Sequence, residues 1–417
     1  MEKAFFGFII KNSTMRQYDS YVEYLLITNG NVWDGERVLN GPNSIHVKNG
    51  LIHNHNSGEK AKQSLLDHAD IEHIDLGTSF ITPGFIDAHT HILHAGDRQF
   101  EKEMRKQGAS YLDILKAGGG IKHTVQKTCE SSNKHLKKLI DERFSKMQTT
   151  GTTTIEVKTG YGLSKNDELN HLRLYAEWSK EKKARIVPTL LMAHTVPDKK
   201  NRKEYLEEVV ETAKIARQEN LTSRFDVFLE SGAFSQKETE FLLSHACSLG
   251  YQITLHAGQF SEMNGVDIAV RHGASSIDHA EHLKTGDVKK LSESGIAVGI
   301  LPMCNIELDT NIQPDARFLI DSGVEVFLAT DLNAGSSFCT SLLDVGRLAL
   351  RDLKMTNEEI LKSVTSVPAK TIGLKKIGKI KKGYIADLGV WKNNIDKFFE
   401  KNNKLEILFV EGNKVVN

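Results

Sequence analysis

The sequence has little of what would tie it to a membrane, a nucleic acid or an oxidising compartment. No run in its 417 residues approaches the roughly 20 consecutive apolar residues that span a bilayer, so no membrane partner is expected. Net charge is missing as well. Lys and Arg together number 54, as do Asp and Glu, and this balance implies no polyanionic partner such as nucleic acid. Only four cysteines occur, Cys129, Cys247, Cys304 and Cys339, and they are scattered with no C-x-x-C pair. That argues against a disulfide framework or a cysteine zinc site, and makes a reducing cytoplasm the expected location. Neither glycine run, Gly118-Gly119-Gly120 nor Gly160-Tyr161-Gly162, carries the Lys-Ser/Thr ending of a phosphate-binding loop. Short repeats and low-complexity tracts are absent too.

What is present is an ordinary globular composition, 39% hydrophobic, in a chain long enough for one large domain or two smaller ones. Residues 1–20 read as an N-terminal extension, whose apolar start is soon followed by Lys11 and Arg16 without a convincing cleavage site. Residues 21–82 read as short strands broken by turns, with Asn29-Gly30 and Asn49-Gly50 as hairpin signals. From Pro83 the pattern changes to short apolar runs alternating with charged, helix-favouring stretches. Eight strands are expected: Phe85–His89, Thr152–Lys158, Ile186–Ala193, Phe225–Leu229, Gln252–His256, Ser276–His279, Ala297–Leu301 and Val326–Asp331. Eight βα units over residues 83–374 predict an α/β fold, a (β/α)₈ barrel with its active site at the C-terminal strand ends. An open doubly wound sheet is the alternative that the count disfavours. Residues 375–417 return to strands and turns, so both termini are expected to build one small β-sandwich domain, from 21–82 and 375–417, beside the barrel.

The chemistry starts at Pro83-Gly84-Phe85-Ile86-Asp87-Ala88-His89-Thr90-His91. Alternate residues of an extended segment point the same way, so His89 and His91 can aim two imidazoles at one point. Two histidines in a chain that holds 17 are weak evidence alone. The barrel reading adds His256 and Asp331 at the ends of other strands, giving N and O donors that suit Zn²⁺ and are compatible with iron. His194 and His279 also end strands. Singly, each such His reads as a structural residue and the Asp as a helix cap; their joint occurrence at strand ends favours a metal site. A metal so held, with an open position, activates water for hydrolysis of a carbon–nitrogen or ester bond. Asp331 is then placed to take the proton of the water and His279 to polarise the carbonyl oxygen. His94, His272 and His282 read as structural.

These residues resemble the amidohydrolase superfamily. The Pro83–His91 opening, Leu255-His256-Ala257, Ala329-Thr330-Asp331 and the terminal block Gly378–Leu388 are all similar to its motifs. Within it the resemblance narrows to the imidazolonepropionase family, through Gly108–Gly120, Gly151–Leu163 and Thr330–Leu342. It runs from about residue 22 to the end. The resemblance implies hydrolysis of 4-imidazolone-5-propanoate to N-formimidoyl-L-glutamate in histidine degradation, with one metal, Zn²⁺ or Fe²⁺/Fe³⁺, on His89, His91, His256 and Asp331. It implies Arg98 as the partner of the substrate carboxylate, and Tyr111, Tyr161, His194, Asn333, Gly335 and Ser336 as further substrate contacts. A homodimer is implied as well. The chain departs from the family at Gln259, where part of it has a glutamate; an amide does not titrate, so Gln259 is expected to hydrogen-bond the imidazolone ring and leave the protons to Asp331 and His279. Ala334 and Met303-Cys304-Asn305 also depart from the usual residues. Another cyclic amidohydrolase, or a deaminase of a heteroaromatic ring, remains the alternative, and a catalytically silent binding protein is a third.

Overall fold

The computed structural model describes residues 24–55, 71–77, 79–108, 113, 117–182, 184–198, 200–310 and 312–416. The expected extension over residues 1–20 lies outside them. Strands from both ends of the described residues meet in one continuous sheet. Its strands are β1 (Tyr24–Trp33), β2 (Val38–Lys48), β3 (Leu51–His55), β4 (Ile71–Asp75), β5 (Phe80–Pro83), β14 (Leu388–Trp391), β15 (Leu405–Val410) and β16 (Asn413–Val416). The order is β16-β15-β14-β5-β1-β2-β3, with β4 also paired to β1. Alternate residues of these strands, among them Leu25, Ile27, Ile45, Val47, Ile81, Leu388 and Val390, bury one apolar core.

The Asn49-Gly50 signal forms the tight turn between β2 and β3, with φ of 50° and 73° at its two residues. The Asn29-Gly30 signal does not form a turn. Here β1 runs straight through, and the left-handed Asn29 (φ 64°) makes a bulge between Thr28↔Ser44 and Gly30↔Asn43. A Cβ on Gly30 would lie 2.6 Å from Ile81 of β5, so glycine lets that strand pack close.

The second sheet is the barrel. Strands β6 (Phe85–Asp87), β7 (Thr152–Lys158), β8 (Arg185–Ala193), β9 (Arg224–Leu229), β10 (Gln252–Ala257), β11 (Ser276–His279), β12 (Ala297–Ile300) and β13 (Val326–Leu328) pair in sequence order, all parallel. Closure comes at the C-terminal rim, where Thr90 bridges Leu332 and the Asp331 N–H donates to His89 O at 3.1 Å. Two strands end two or more residues earlier than expected, β6 at Asp87 rather than His89 and β13 at Leu328 rather than Asp331. The cause is local. The Asp87 carboxylate accepts the backbone N–H groups of Thr330 and His89 (3.2 and 3.4 Å), and Asp331 adopts a left-handed φ of 51°, which a regular ladder does not admit.

The helices between strands follow from caps and apolar stripes. Gln236–Ser248, for example, begins at a capping box between Ser235 and Glu238 and buries Thr239, Leu242, Leu243 and Ala246 on one face. The terminal sheet is fixed to the barrel at three points. β5 passes into β6 through Gly84 alone. Phe85 stacks on Trp391 with ring centres 5.0 Å apart, and the indole N–H donates to Thr82 Oγ1 at 2.9 Å. Arg185, at the start of β8, pairs with Asp387 and Glu411 of the terminal sheet. No helix among the described residues is long and apolar enough to cross a membrane.

Candidate active site

The barrel rim gathers the imidazoles. His89 and His91 follow β6 in an extended segment held against Leu332, so both rings face the barrel axis with centres 5.3 Å apart. Asp331 Oδ1 lies 3.5 Å from His89 Nε2 and 3.6 Å from His91 Nε2. His256 of β10 brings its ring centre to 4.4 Å from that of His89, and His279 of β11 to 5.3 Å from that of His256. The donor atoms of His89, His91 and Asp331 all lie within 4.8 Å of one another, and so do those of His89, His256 and His279. His89 belongs to both groups, and the two overlap at one end of the barrel. The Nε2 atoms of His89 and His256 are buried without a hydrogen-bond partner. Leaving such an atom dry is costly unless a ligand or cation takes its lone pair. Neutral imidazole nitrogens and a carboxylate are a donor set that fits a transition metal.

The electrostatics agree with neutral ligands. Burial, followed by the nearby cations and imidazoles, pushes His89 and His91 well below the ordinary imidazole range. Burial pulls His279 the same way, but the negative charge of Glu281, whose Oε1 lies 3.9 Å from His279 Nδ1, outweighs it, so His279 holds its proton to higher pH than usual. Burial raises the Asp331 carboxyl above its ordinary value. His279 (φ 83°), Ala280 (φ 69°) and Asp331 (φ 51°) all take left-handed backbone conformations that L residues rarely adopt.

Beneath the rim lies a layer of charge that the sequence reading missed. Asp278 Oδ2 lies 2.7 Å from His89 Nδ1, and Asp226 Oδ2 lies 2.7 Å from His256 Nδ1. A carboxylate only accepts, so each Nδ1 carries the hydrogen and each Nε2 lone pair faces the rim. Lys158 stands between these aspartates and beside Glu156. Burial works to raise the Asp226 carboxyl, yet His256 and Lys158 overcome it and hold it below the usual range. One signal was available: charged residues interrupt β7, β9 and β11, although parallel strands covered on both faces are normally apolar throughout.

Two of the expected substrate residues, Tyr161 and His194, lie against His91. The Tyr161 ring centre is 5.9 Å from that of His91, and His194 stacks on His91 at 5.2 Å. Gln259 donates to Cys304 Sγ at 3.4 Å. Asn333 caps its own loop: its Oδ1 accepts from the N–H groups of Gly335 and Ser336, and its amide N–H donates to Asp331 O at 2.6 Å. Arg98 lies against that loop, and a Cβ on Gly335 would come within 2.4 Å of the guanidinium. A further residue missed in the sequence is Glu101, buried at 2% exposure, which takes Arg98 Nε and Nη2 at 2.6 and 3.0 Å and the Gly120 N–H at 2.6 Å. Tyr111 lies outside the described residues.

A closed parallel barrel with rim imidazoles, a carboxylate and a flanking sheet from both termini is the arrangement of an amidohydrolase, and the Amidohydrolase family model matches residues 80–415. The 5-methylcytosine deaminase of Klebsiella pneumoniae shares the fold, with a TM-score of 0.74, 14% identity and coverage of 94% of this chain and 97% of that one. Sequence relatives are more specific. The imidazolonepropionase of Paracoccus denitrificans is 39% identical over 327 residues, 78% of this chain and 82% of its own length. That of Aliivibrio fischeri is 37% identical over 353 residues, 84% and 85% of the two chains. The chain therefore belongs to the imidazolonepropionases of the amidohydrolase family. It is a hydrolase of a metal-dependent superfamily, with His and Asp groups that could bind a metal.

Proposed function

We propose that His89, His91, His256 and Asp331 hold one metal ion, Zn²⁺ or Fe²⁺/Fe³⁺, and that the enzyme opens 4-imidazolone-5-propanoate to N-formimidoyl-L-glutamate in histidine degradation. The observation that carries this reading is the pair of buried, partnerless Nε2 atoms on His89 and His256 beside Asp331, in a chain 39% identical to an imidazolonepropionase. When bound, such an ion supplies an activated water and polarises the carbonyl. Asp331 takes the proton of the attacking water and returns it to the ring nitrogen that leaves. His279, whose pKa Glu281 raises, donates to the carbonyl oxygen as negative charge grows there. Arg98 holds the propanoate, while Tyr161, His194 and the 333–336 loop with Gly335 and Ser336 wall the ring. Gln259 donates to or accepts from the ring without titrating. Tyr111 is assigned to the same wall from the family resemblance.

We assign catalysis to the 83–374 barrel and a supporting role to the 21–82 and 375–417 sheet; the rim position of the imidazoles supports that division. The family resemblance supports a cytoplasmic homodimer. The test is hydrolysis of 4-imidazolone-5-propanoate before and after chelation, with Zn²⁺ or Fe²⁺ added back. Loss and recovery are expected; undiminished turnover by metal-free protein rejects the reading.

A further inference from the structure

The imidazoles of His89 and His256 and the layer under them come from different parts of the barrel. His89 follows the first barrel strand and His256 lies on the fifth, whereas Lys158, Asp226 and Asp278 lie on the second, fourth and sixth. Alternate strands of a closed barrel fill successive layers, so these three side chains meet below the imidazoles. Lys158 is 1% exposed, and its Nζ lies 2.9 Å from Asp226 Oδ2 and 3.6 Å from Asp278 Oδ2. Those same two oxygens accept from His256 Nδ1 and His89 Nδ1. The lysine is fixed from behind, because its N–H donates to Thr90 O at 2.9 Å and its carbonyl accepts the Tyr175 hydroxyl at 3.0 Å. Asp226, His256 and Asp278 form by donor distance a third group able to hold a cation, but the Lys158 ammonium already stands against both of its carboxylates.

We infer that Lys158 is a positioning residue of the metal centre: its ammonium ties Asp226 to Asp278 and through them orients His256 and His89 with Nε2 toward the ion. Two buried carboxylates repel each other, and a fixed cation between them holds both in place with their second contacts aimed at imidazoles. Without it each aspartate is free to turn away, and the imidazole it holds loses its fixed orientation. This inference rests on the reading that His89 and His256 face the metal.

The test measures Zn²⁺ affinity by competition with a chromophoric chelator, on wild-type protein and on Lys158→Met. Metal-free protein labelled with ¹⁵N-histidine reports the tautomers. The expected result is a fall in affinity of about 10- to 100-fold, the usual effect of losing an outer-layer partner, in a variant whose circular dichroism is unchanged. In the wild type, His89 and His256 should both show the Nδ1–H tautomer, and Lys158→Met should mix it with the other. Unchanged affinity and tautomers in the folded variant overturn the inference. Should Lys158→Met not fold, Lys158→Met/Glu156→Gln removes one anion with the cation; affinity equal to that of Glu156→Gln alone then overturns it. An Nε2–H tautomer at either histidine of the wild type overturns it whatever the variants do. Failure of wild-type protein to bind Zn²⁺ at all would instead count against the metal site itself.

Discussion

Arg98→Ala is the substitution whose effect the geometry constrains most. The Nε and Nη2 atoms of Arg98 are taken by Glu101 at 2.6 and 3.0 Å, which leaves the Nη1 end of the guanidinium for a ligand carboxylate. One or two charge-assisted hydrogen bonds are therefore at stake, together worth about 1.5–3 kcal/mol, or about 10- to 150-fold in affinity. The side chain is 17% exposed, so water competes and the expectation falls in the lower half of that span, roughly 10- to 50-fold. Steady-state kinetics should show this as a rise in KM for the propanoate substrate, with kcat changed far less. An imidazolone bearing a methyl group in place of the propanoate should bind wild type and variant equally. Because Arg98→Ala strands the buried Glu101 carboxylate, the same comparison belongs in a Glu101→Gln background, where the KM effect should persist. Equal losses on both substrates, or a loss confined to kcat, would refute the assignment of Arg98 to the carboxylate.

Other outcomes follow from the same geometry. Asp331→Asn keeps the loop bond from Asn333 to the backbone carbonyl but removes the proton acceptor, so kcat should fall on the order of 10²- to 10⁴-fold with an unchanged circular dichroism spectrum. Retained turnover would move the base elsewhere. An imidazolium stabilises developing negative charge more strongly than a neutral imidazole, and the pKa of His279 is raised, so kcat should decline as pH rises through that elevated value, and His279→Gln should remove this limb of the profile. A limb that survives the substitution belongs to another group. Trp391→Ala empties a fully buried site stacked on Phe85 and leaves Thr82 without its indole donor, and should cost about 3–5 kcal/mol in urea unfolding. A loss under 1 kcal/mol, well short of that estimate, would show that the terminal sheet and barrel do not depend on this contact.

Eight apolar runs spaced by amphipathic stretches made the barrel strands legible, and the chain folds them at nearly those residues. Their ends were less legible. Thr330 and Asp331 continue an apolar run in sequence, but the Asp87 carboxylate, supplied from 243 residues away, takes the Thr330 N–H out of any ladder. The Asn29-Gly30 dipeptide shows the same limit: a local turn signal became a bulge because β2 continued to pair on both sides of it. Glu101 drew no notice in the sequence, since nothing local says that Arg98 and Gly120 enclose it.

What the sequence by itself determined is whatever depends on neighbours along the chain. The alternation that points His89 and His91 one way, the run that ends in His256 and the eightfold rhythm of strands all belong to that class. Only the closed barrel decided which side chains those imidazoles lean on. Asp278 reaches His89 across 189 residues, Asp226 reaches His256 across 30, and Lys158 reaches Asp226 across 68. Backbone periodicity is a local property of φ and ψ and can be read from spacing. The meeting of a cation with two carboxylates depends on strand order and barrel layer, which exist only once the sheet has closed.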